Sequence, residues 1–411
     1  MNVLFDATWI GSNLNKNAMH GGLRVIYELT KKLENSNEVD LFYSINHYNK
    51  SLIKNLVSIL EEDYELNSIN KILNKQSELF RYEHFLNSKI NSYLFKYLGL
   101  KETFKLNNFN NNKLRLIDVY HSPMEAIPNE IKNYKNIKRI FTSHDVMPFV
   151  RPDLAPKSFG NLLKPAYDSV DKDTNVICVS NFTKSELLSF RKDLVEDKID
   201  VVYLGADKKL FFPNECQTQF SFIKSKYDLK FEKYLLCLNR NQKYKNTEHI
   251  IKAYIELILS EKISDLGIIL IGTFENDELK RKFLNKYKTY KNIHFIEYVP
   301  DNELSVFYSN ALCFLYMSLY EGFGLPVIEA MQCGTPVIAS NQASLPEVIE
   351  SAGICIDPFN VELLSDKINS IYKNHELANE LSIRSLKRAK FFSWEKNLDE
   401  TIKIYKKAIN N

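Results

Sequence analysis

The sequence predicts an α/β protein made of two doubly wound domains, each built on a parallel β-sheet. Two observations favour this fold class. Short apolar runs alternate with amphipathic stretches along the whole chain, and the series restarts once near its middle. The length agrees with this reading, because 411 residues exceed what one hydrophobic core usually supports. We therefore expect two Rossmann-like halves.

Six candidate strands precede the restart, and amphipathic helix patterns such as GLRVIYELTKKLEN separate them. The predicted strands are residues 2–8, 39–45, 115–122, 137–145, 175–181 and 199–205. Residues 72–98 repeat apolar side chains at seven-residue intervals and predict one long amphipathic helix. Core packing is the favoured explanation of that stripe, and a surface for an acceptor or for lipid is the alternative.

Five candidate strands follow the restart, at residues 233–239, 267–272, 293–299, 311–317 and 336–340. Turn residues and weak periodicity mark the segment 206–232 between the two series. We place the domain boundary there, with a first domain at 1–205 and a second that begins at 206.

Composition argues against several classes of function. The net charge is only +3, whereas a general nucleic-acid binder usually has a more extreme balance. The six cysteines show no metal-ligand spacing, so we expect neither a metal site nor disulfides. The chain opens without a signal peptide, and no run reaches the ~18 apolar residues of a membrane span. The expectation is a soluble, cytoplasmic protein, peripheral to a membrane at most.

One segment, IKNYKNIKR at 131–139, is locally basic. A solvated helix face is the favoured explanation, and contact with an anionic membrane surface or acceptor is the alternative.

The stretch EGFGLPVIEA at 321–330 is the most informative part of the chain. Gly322 and Gly324 permit a turn whose backbone approaches a ligand closely, and Pro326 suits the first position of a helix. Free amides at that helix start, around residues 325–328, would form an anion site suited to a diphosphate. The pattern therefore predicts a phosphate-binding turn.

Two carboxylates flank this turn. Glu329 lies in the first turn of the predicted helix, where a carboxylate can accept both hydroxyls of a ribose, and Glu321 precedes the turn, where it can bind sugar hydroxyls. A sugar, a diphosphate and a ribose in that order make a nucleotide sugar. The alternative is that Glu329 only complements the helix dipole and Glu321 is solvated, which explains either residue alone but not their joint spacing.

Other chemistries fit less well. A dinucleotide fingerprint needs a third glycine where Val327 stands, no P-loop occurs, and no Gly-x-Ser-x-Gly elbow supports a serine nucleophile. Paired carboxylates also occur in glycoside hydrolases, but beside a phosphate-type helix start they favour donor binding.

The 321–330 segment resembles the Glu-x7-Glu signature of retaining glycosyltransferases of family 4, which have the two-domain GT-B fold. The resemblance covers nearly the whole chain and includes GGLRVIYEL (21–29), VYHSP (119–123), FTSHDVMPF (141–149), VSNFTKSEL (179–187), YLGADKKLFFP (203–213), VPDNEL (299–304) and FSWEKNLDETIKIY (392–405). It implies two Rossmann-like domains facing a cleft, an acceptor-binding domain at 1–205 and a nucleotide-sugar-binding domain at 206–390. It also implies that residues 391–411 form a helix that crosses back to the first domain.

The resemblance also assigns residues around the donor. NRNQKYKN at 239–246 is similar to a family segment in which Arg240 and Lys245 reach the diphosphate, although Asn239 replaces the usual glycine. Cations there can neutralise the leaving group without a metal, and Lys243 is an alternative contact. The donor-binding residues implied by the signature and by the N-terminal glycine loop are Gly21, Gly22, Gly322, Phe323, Gly324, Leu325 and Glu329.

Two histidine segments belong to the first domain. His121 ends the predicted strand 115–122 and Pro123 turns the chain just beyond it, so we expect the imidazole at the cleft. The resemblance of VYHSP implies that His121 lies near the transferred sugar and serves as the essential histidine. His144 and Asp145 are expected on the acceptor side. For each histidine the alternative is a structural hydrogen bond to backbone.

Together these features predict a metal-independent, retaining glycosyltransferase with His121, Glu321, Arg240 and Lys245 as catalytic residues. It would move a hexose, with mannose as one candidate, from a nucleoside diphosphate sugar to a growing polysaccharide or lipid-linked glycan. No cofactor other than the donor substrate and no nucleic-acid partner are expected. The alternatives are a sugar-nucleotide epimerase and an inactive protein that binds a glycan or a partner.

Overall fold

The computed structural model describes residues 1–12, 21–45, 111–155, 157–214, 216–238, 242–274 and 276–411. The predicted helix at 72–98 and Arg240 lie outside the described residues.

The first sheet contains six parallel strands in the order β2-β1-β3-β4-β5-β6. Its strands are β1 Asn2–Asp6, β2 Asp40–Ser44, β3 Val119–Ser122, β4 Lys138–Ser143, β5 Asn175–Cys178 and β6 Ile199–Val201. All six coincide with predicted segments, because buried parallel strands consist of short apolar runs that are easily recognised in a sequence.

The second sheet is also parallel and has the order β12-β11-β10-β7-β8-β9. Its strands are β7 Lys233–Leu238, β8 Leu266–Ile271, β9 Ile293–Ile296, β10 Cys313–Tyr316, β11 Val337–Ser340 and β12 Ile354–Ile356. The sequence did not predict β12, a three-residue edge strand too short to show a pattern. Two parallel sheets confirm the expected α/β fold class.

Helices cover both sheets. In chain order they are α1 Thr8–Ser12, α2 Gly21–Glu34, α3 Asn111–Leu114, α4 Asn129–Lys132, α5 Met147–Val150, α6 Lys157–Ser169, α7 Asn181–Phe190, α8 Gln217–Lys226, α9 Thr247–Ser260, α10 Asp277–Tyr287, α11 Asp301–Ser309, α12 Leu325–Gln332, α13 Leu345–Ile349, α14 Val361–Lys373, α15 His375–Ala389 and α16 Trp394–Asn410.

The strand order creates a ligand-binding crevice in each sheet. The order reverses between β1 and β3 in the first sheet and between β7 and β10 in the second. Loops that leave the carboxyl ends of such strand pairs diverge to opposite faces and leave a crevice between them. The turn that follows β10 reaches the first domain, because Gly322 lies against the backbone of His144.

The last helix, α16, packs on the first sheet. Ile402, Tyr405 and Ala408 share a buried cluster with Val3 and Phe5 of β1. The chain reaches this position by passing close to Gly205, where a Cβ atom would overlap the backbone at residues 393–394. Glycine is therefore required at that crossing.

The basic segment 131–139 forms ion pairs with an acidic residue elsewhere in the first domain. Arg139 binds the Asp171 carboxylate through both terminal nitrogens at 3.1 Å, and Lys132 Nζ lies 3.9 Å from the same carboxylate. These contacts favour a structural role for the segment.

Within the described residues, no helix is both long and apolar enough to span a membrane.

Candidate active site

Lys245 and Glu321 meet at the carboxyl edge of the second sheet. Lys245 Nζ lies 2.6 Å from Glu321 Oε1, and the Tyr316 hydroxyl donates to the same oxygen at 2.9 Å. Only 11% and 15% of the two charged side chains are exposed. They meet because they follow β7 and β10, the adjacent strands at which the order reverses. Lys243 instead donates to the Asp153 carbonyl at 3.3 Å.

The Gly-x-Gly turn has the conformation that its sequence predicts. Gly324 has a φ of 103°, a left-handed conformation that favours glycine, and α12 begins at the next residue with Pro326 in its first turn. The Ser344 hydroxyl lies 2.9 Å from the carbonyl oxygens of both Glu321 and Phe323. These contacts fix the turn that precedes the helix.

Phe323 and Leu325 pack inward. The Phe323 ring is buried and contacts the rings of Tyr203 and Phe392 at centroid distances of 6.0 and 5.6 Å. Leu325 is buried opposite Gly21, where a Cβ atom would lie 4.0 Å from Leu325 Cδ1. Any contact of these two residues with a donor would therefore come from their backbone.

Glu329 is almost fully buried, with 4% of the residue exposed. Arg24 Nη1 donates to its Oε1 at 2.6 Å, and the Tyr308 hydroxyl lies 3.3 Å from Oε2. Burial raises the pKa of the Glu329 carboxyl, and the adjacent Arg24 guanidinium opposes that rise. The carboxylate therefore lies at the cleft between the two domains.

Two helix N-termini converge near this carboxylate. Helix α2 begins at Gly21, whose Cα faces Leu325, the first residue of α12. Gly22 lies beside Met124 of the loop after β3. Helix N-termini carry partial positive charge, so their approach favours an anion between the domains.

His121 does not lie at the cleft, and that expectation was wrong. The residue is fully buried within β3, Nδ1 lies 2.6 Å from the Tyr405 hydroxyl, and Nε2 lies 2.8 Å from Thr142 Oγ1. Burial lowers the pKa of the imidazole to about 3. The sequence could not predict this position, because the side chain is covered by α16. That helix carries Tyr405, which lies 284 residues further along the chain.

His144 and Asp145 lie at the cleft and are half-buried. His144 Nε2 is 2.9 Å from the Pro123 carbonyl, and because a carbonyl only accepts, Nε2 carries the proton and Nδ1 is the acceptor. Burial lowers the pKa of His144 to about 4. Burial and, to a smaller extent, the Glu321 charge raise the pKa of Asp145 to about 6. Because charges act on one another over short distances, this effect of Glu321 indicates that Asp145 of the first domain lies near it.

The segment VSNFT fastens the two domains. Ser180 Oγ and Thr183 Oγ1 donate to the carbonyl of Gly322 at 2.6 and 3.0 Å. The N-terminus of α7 is capped from the second domain, because the Glu347 carboxylate accepts from the backbone amides of Asn181 and Phe182 at 2.8 and 3.1 Å. Helix α7 thus packs directly behind the Gly-x-Gly turn.

Sequence reasoning missed Arg24, Asp301 and Glu347 as members of the domain interface. Arg24 follows the glycine pair GG by two residues, and its place in the first turn of a helix that faces the cleft was the available signal. Asp301 and Glu347 gave no such signal, since acidic residues in a first helical turn are common.

Among the described residues no group of three or more His, Cys, Asp or Glu side chains is arranged to hold a metal.

Comparison with known proteins identifies the family. Residues 220–388 match the family model described as glycosyl transferases group 1. Over 293 residues the chain is 32% identical to O-antigen chain mannosyltransferase B of Escherichia coli. The aligned region covers 70% of this chain and 74% of the relative. The chain belongs to this glycosyltransferase family.

Other similarities agree with that assignment. The glycosyltransferase is 29% identical over 239 residues to an O-antigen chain mannosyltransferase of Salmonella typhimurium. The aligned region covers 56% of this chain and 60% of the relative. A crystal structure of a glycosyltransferase from Rickettsia africae superposes with a TM-score of 0.69 at 20% identity and covers 100% of this chain and 99% of the other. That likeness confirms the GT-B fold.

Proposed function

We propose that this glycosyltransferase transfers mannose, with retention of anomeric configuration, from a nucleoside diphosphate donor to a hydroxyl of a growing polysaccharide or lipid-linked glycan. Two relatives carry the name O-antigen chain mannosyltransferase, which supports the sugar and the class of acceptor. The observation that carries the proposal is the largely buried Lys245–Glu321 pair beside the turn that leads to Glu329.

The second domain holds the donor in this proposal. The ribose hydroxyls bind Glu329, the diphosphate lies at the N-terminus of α12 opposite that of α2, and the sugar hydroxyls bind Glu321. The order follows from the structure of a nucleotide sugar, since the two carboxylates lie on either side of one helix start.

Lys245 has the chemistry that departure of the diphosphate requires. Its ammonium is largely buried and paired with one carboxylate, so it places positive charge where the leaving group gains negative charge. In a front-face reaction a leaving phosphate oxygen takes the proton of the acceptor hydroxyl, and no protein base is needed. Catalysis then consists mainly of positioning and electrostatic stabilisation. Arg240 remains part of the proposal as a second cation.

The first domain supplies the acceptor side. Asp145 lies near Glu321 across the cleft, and Nδ1 of the adjacent His144, the acceptor nitrogen of that ring, can accept from a sugar hydroxyl. His121 acts in this proposal by supporting β3 and α16 rather than by touching the sugar.

Substitution of the two glutamates tests the proposal. Glu329→Gln should raise the KM for the donor, and Glu321→Gln should mainly lower kcat, since charged hydrogen bonds of this kind contribute roughly 1.5–3 kcal/mol. The exposed Glu278→Gln on α10 is the matched control. Donors are first selected by thermal shift with GDP- and UDP-sugars, because a bound ligand raises apparent stability. Unchanged kinetics in both cleft variants would contradict the donor site.

The proposal extends to the location of the protein. We place it in the cytoplasm, in reach of water-soluble donors, with peripheral contact to the inner membrane face while it uses a lipid-linked acceptor. Sedimentation with anionic vesicles tests the membrane contact, and a protein that stays in the supernatant with and without acceptor lipid contradicts it.

A further inference from the structure

Arg24 joins two carboxylates of the opposite domain. Its Nη1 lies 2.6 Å from Glu329 Oε1, and its Nη2 lies 2.6 Å from Asp301 Oδ2. Arg24 comes from the first turn of α2 in the first domain, whereas Glu329 belongs to α12 and Asp301 begins α11 in the second. One guanidinium therefore bridges the cleft at the carboxylate assigned above to the donor ribose.

Burial strengthens the attraction between Arg24 and Glu329. The Glu329 side chain is 5% exposed and Arg24 is 19% exposed, so solvent screens their attraction far less than at a surface. Within the described part of the chain, Arg24 is the only Lys or Arg side chain paired with Glu329 or Asp301. A buried carboxylate that loses its cation takes up a proton more readily, and a protonated carboxyl is a poorer acceptor for a diol.

The contact with Arg24 does not use all the acceptor positions of the Glu329 carboxylate. An ionised carboxylate has about four acceptor positions. Arg24 uses one on Oε1, and the Tyr308 hydroxyl approaches one on Oε2 at 3.3 Å. Two positions then remain, which is the number that the 2′- and 3′-hydroxyls of a ribose require.

We infer that Arg24 is a positioning residue that holds Glu329 ionised and oriented toward the donor ribose, so that donor affinity depends on the approach of the first domain. The inference rests on the proposed donor site. Its consequence is that closing the cleft completes the nucleotide site as well as bringing the acceptor close.

The dependence on pH separates this role from a purely structural one. The titratable and charged groups that face Glu329 are Arg24 on α2, Asp301 and Tyr308 on α11, and Cys333 after α12. Only Arg24 among them lowers the pKa of Glu329 by its charge. Without Arg24 the donor KM should therefore rise as the pH falls, at pH values where the wild-type KM is still constant.

The experiment compares the full-length variants Arg24→Ala, Arg24→Lys, Glu329→Gln and the double variant Arg24→Ala/Glu329→Gln. Donor KM and kcat are measured between pH 5.5 and 8 with the sugar nucleotide selected by thermal shift. Arg24→Ala should raise KM roughly tenfold or more, with a smaller change in kcat. Arg24→Lys should recover part of that loss because it keeps the charge but not the two-pronged contact.

The double variant tests whether Arg24 acts through Glu329. Its KM should be close to that of Glu329→Gln alone, because residues that act as a unit are not additive. Arg139→Ala is the matched control: this arginine also donates through both terminal nitrogens, but to Asp171 within the first domain and away from the cleft. It should leave the donor KM and its pH dependence unchanged.

Each contrary outcome has a distinct meaning. If Glu329→Gln raises KM while both Arg24 variants match the wild type at every pH, the role of Arg24 is wrong and the donor site stands. A lower KM in Arg24→Ala would show that Arg24 competes with the ribose, and fully additive losses in the double variant would show independent action; both overturn the inference. If Glu329→Gln itself leaves KM unchanged, the donor site fails and the inference fails with it.

Discussion

The backbone carbonyl of His144 lies against Gly322, in the space that even a single methyl group at that position would occupy. His144 follows the strand β4 of the first domain, and Gly322 belongs to the turn after β10 in the second. The second domain can approach the first this closely only because residue 322 has no side chain. Glu321 is the preceding residue of the same turn, so a change in the contact between the domains at Gly322 would also move Glu321.

Gly322→Ala should therefore impair catalysis more than folding. The added methyl group pushes the turn away from His144, and a displacement of about 1 Å at a catalytic group can cost roughly 10²-fold in rate. The measurement is kcat/KM together with the melting temperature. Gly160→Ala within α6 is the control, because its Cβ would meet Pro148 only at an ordinary 3.6 Å. Wild-type activity in Gly322→Ala would show that this contact is not needed for turnover.

Glu347→Ala should loosen the two domains. Its carboxylate accepts from the amides of Asn181 and Phe182 and from the Tyr203 hydroxyl at 2.7 Å. Loss of these contacts should lower the free energy of unfolding by roughly 1–3 kcal/mol, as measured by urea denaturation. Tyr203→Phe removes a single donor and should have a smaller effect. Equal stability of Glu347→Ala and the wild type would show that the cap contributes nothing.

His144→Ala should lower kcat at least about tenfold, the equivalent of about 1.4 kcal/mol of transition-state stabilisation. His121→Gln should change kcat much less per folded molecule, because its ring lies behind the sheet against Tyr405. Circular dichroism and melting curves correct for unfolded protein. The reverse order of the two effects would return the essential role to His121.

His121 should instead affect stability through pH. Its pKa falls from the ordinary 6.5 to about 3 on folding, so the unfolded chain binds the proton more tightly between these values. The contribution of this histidine to stability is intact above pH 6.5 and is lost as the pH falls toward 3, at up to about 1.4 kcal/mol per pH unit.

The comparison of wild type with His121→Gln isolates this effect. Asp6 and Asp145, whose pKa values are raised to about 7 and about 6, act in the opposite direction, and His144 acts in the same direction. The contributions of Asp6 and Asp145 cancel in the difference between the two proteins, and the charge of His144, which also lowers the pKa of His121, acts in the same direction as the effect being measured. Urea denaturation at several pH values from 7 to 5 should show a steeper loss in the wild type, and parallel curves would contradict neutral burial of His121.

Activity should survive prolonged dialysis against EDTA. In the proposed mechanism Lys245, largely buried against Glu321, supplies the positive charge that a metal supplies in other transferases. Lys245→Met should accordingly reduce kcat far more than any chelator does. Loss of activity in EDTA with rescue by Mn²⁺ or Mg²⁺ would show that a metal supplies that charge.

The sequence by itself determined the features that depend on local pattern. Eleven of the twelve described strands follow from short apolar runs, and only the three-residue strand Ile354–Ile356 was missed. The positive φ of Gly324 and the start of α12 at Leu325 follow from the residue types Gly and Pro, whose backbone preferences are intrinsic. The charge and hydrogen-bonding capacity of the carboxylates and of Lys245 could also be predicted, because they are properties of the side chains themselves.

Only the tertiary structure decided which of these groups meet. Lys245 reaches Glu321 because β7 and β10 are neighbours although two other strands separate them in the chain. Arg24 reaches Glu329 across 305 residues because the two domains are in contact, and His121 is buried because α16 covers it. Periodicity records how each segment buries its own surface, but strand order and domain contact depend on packing between distant segments, which no local pattern encodes.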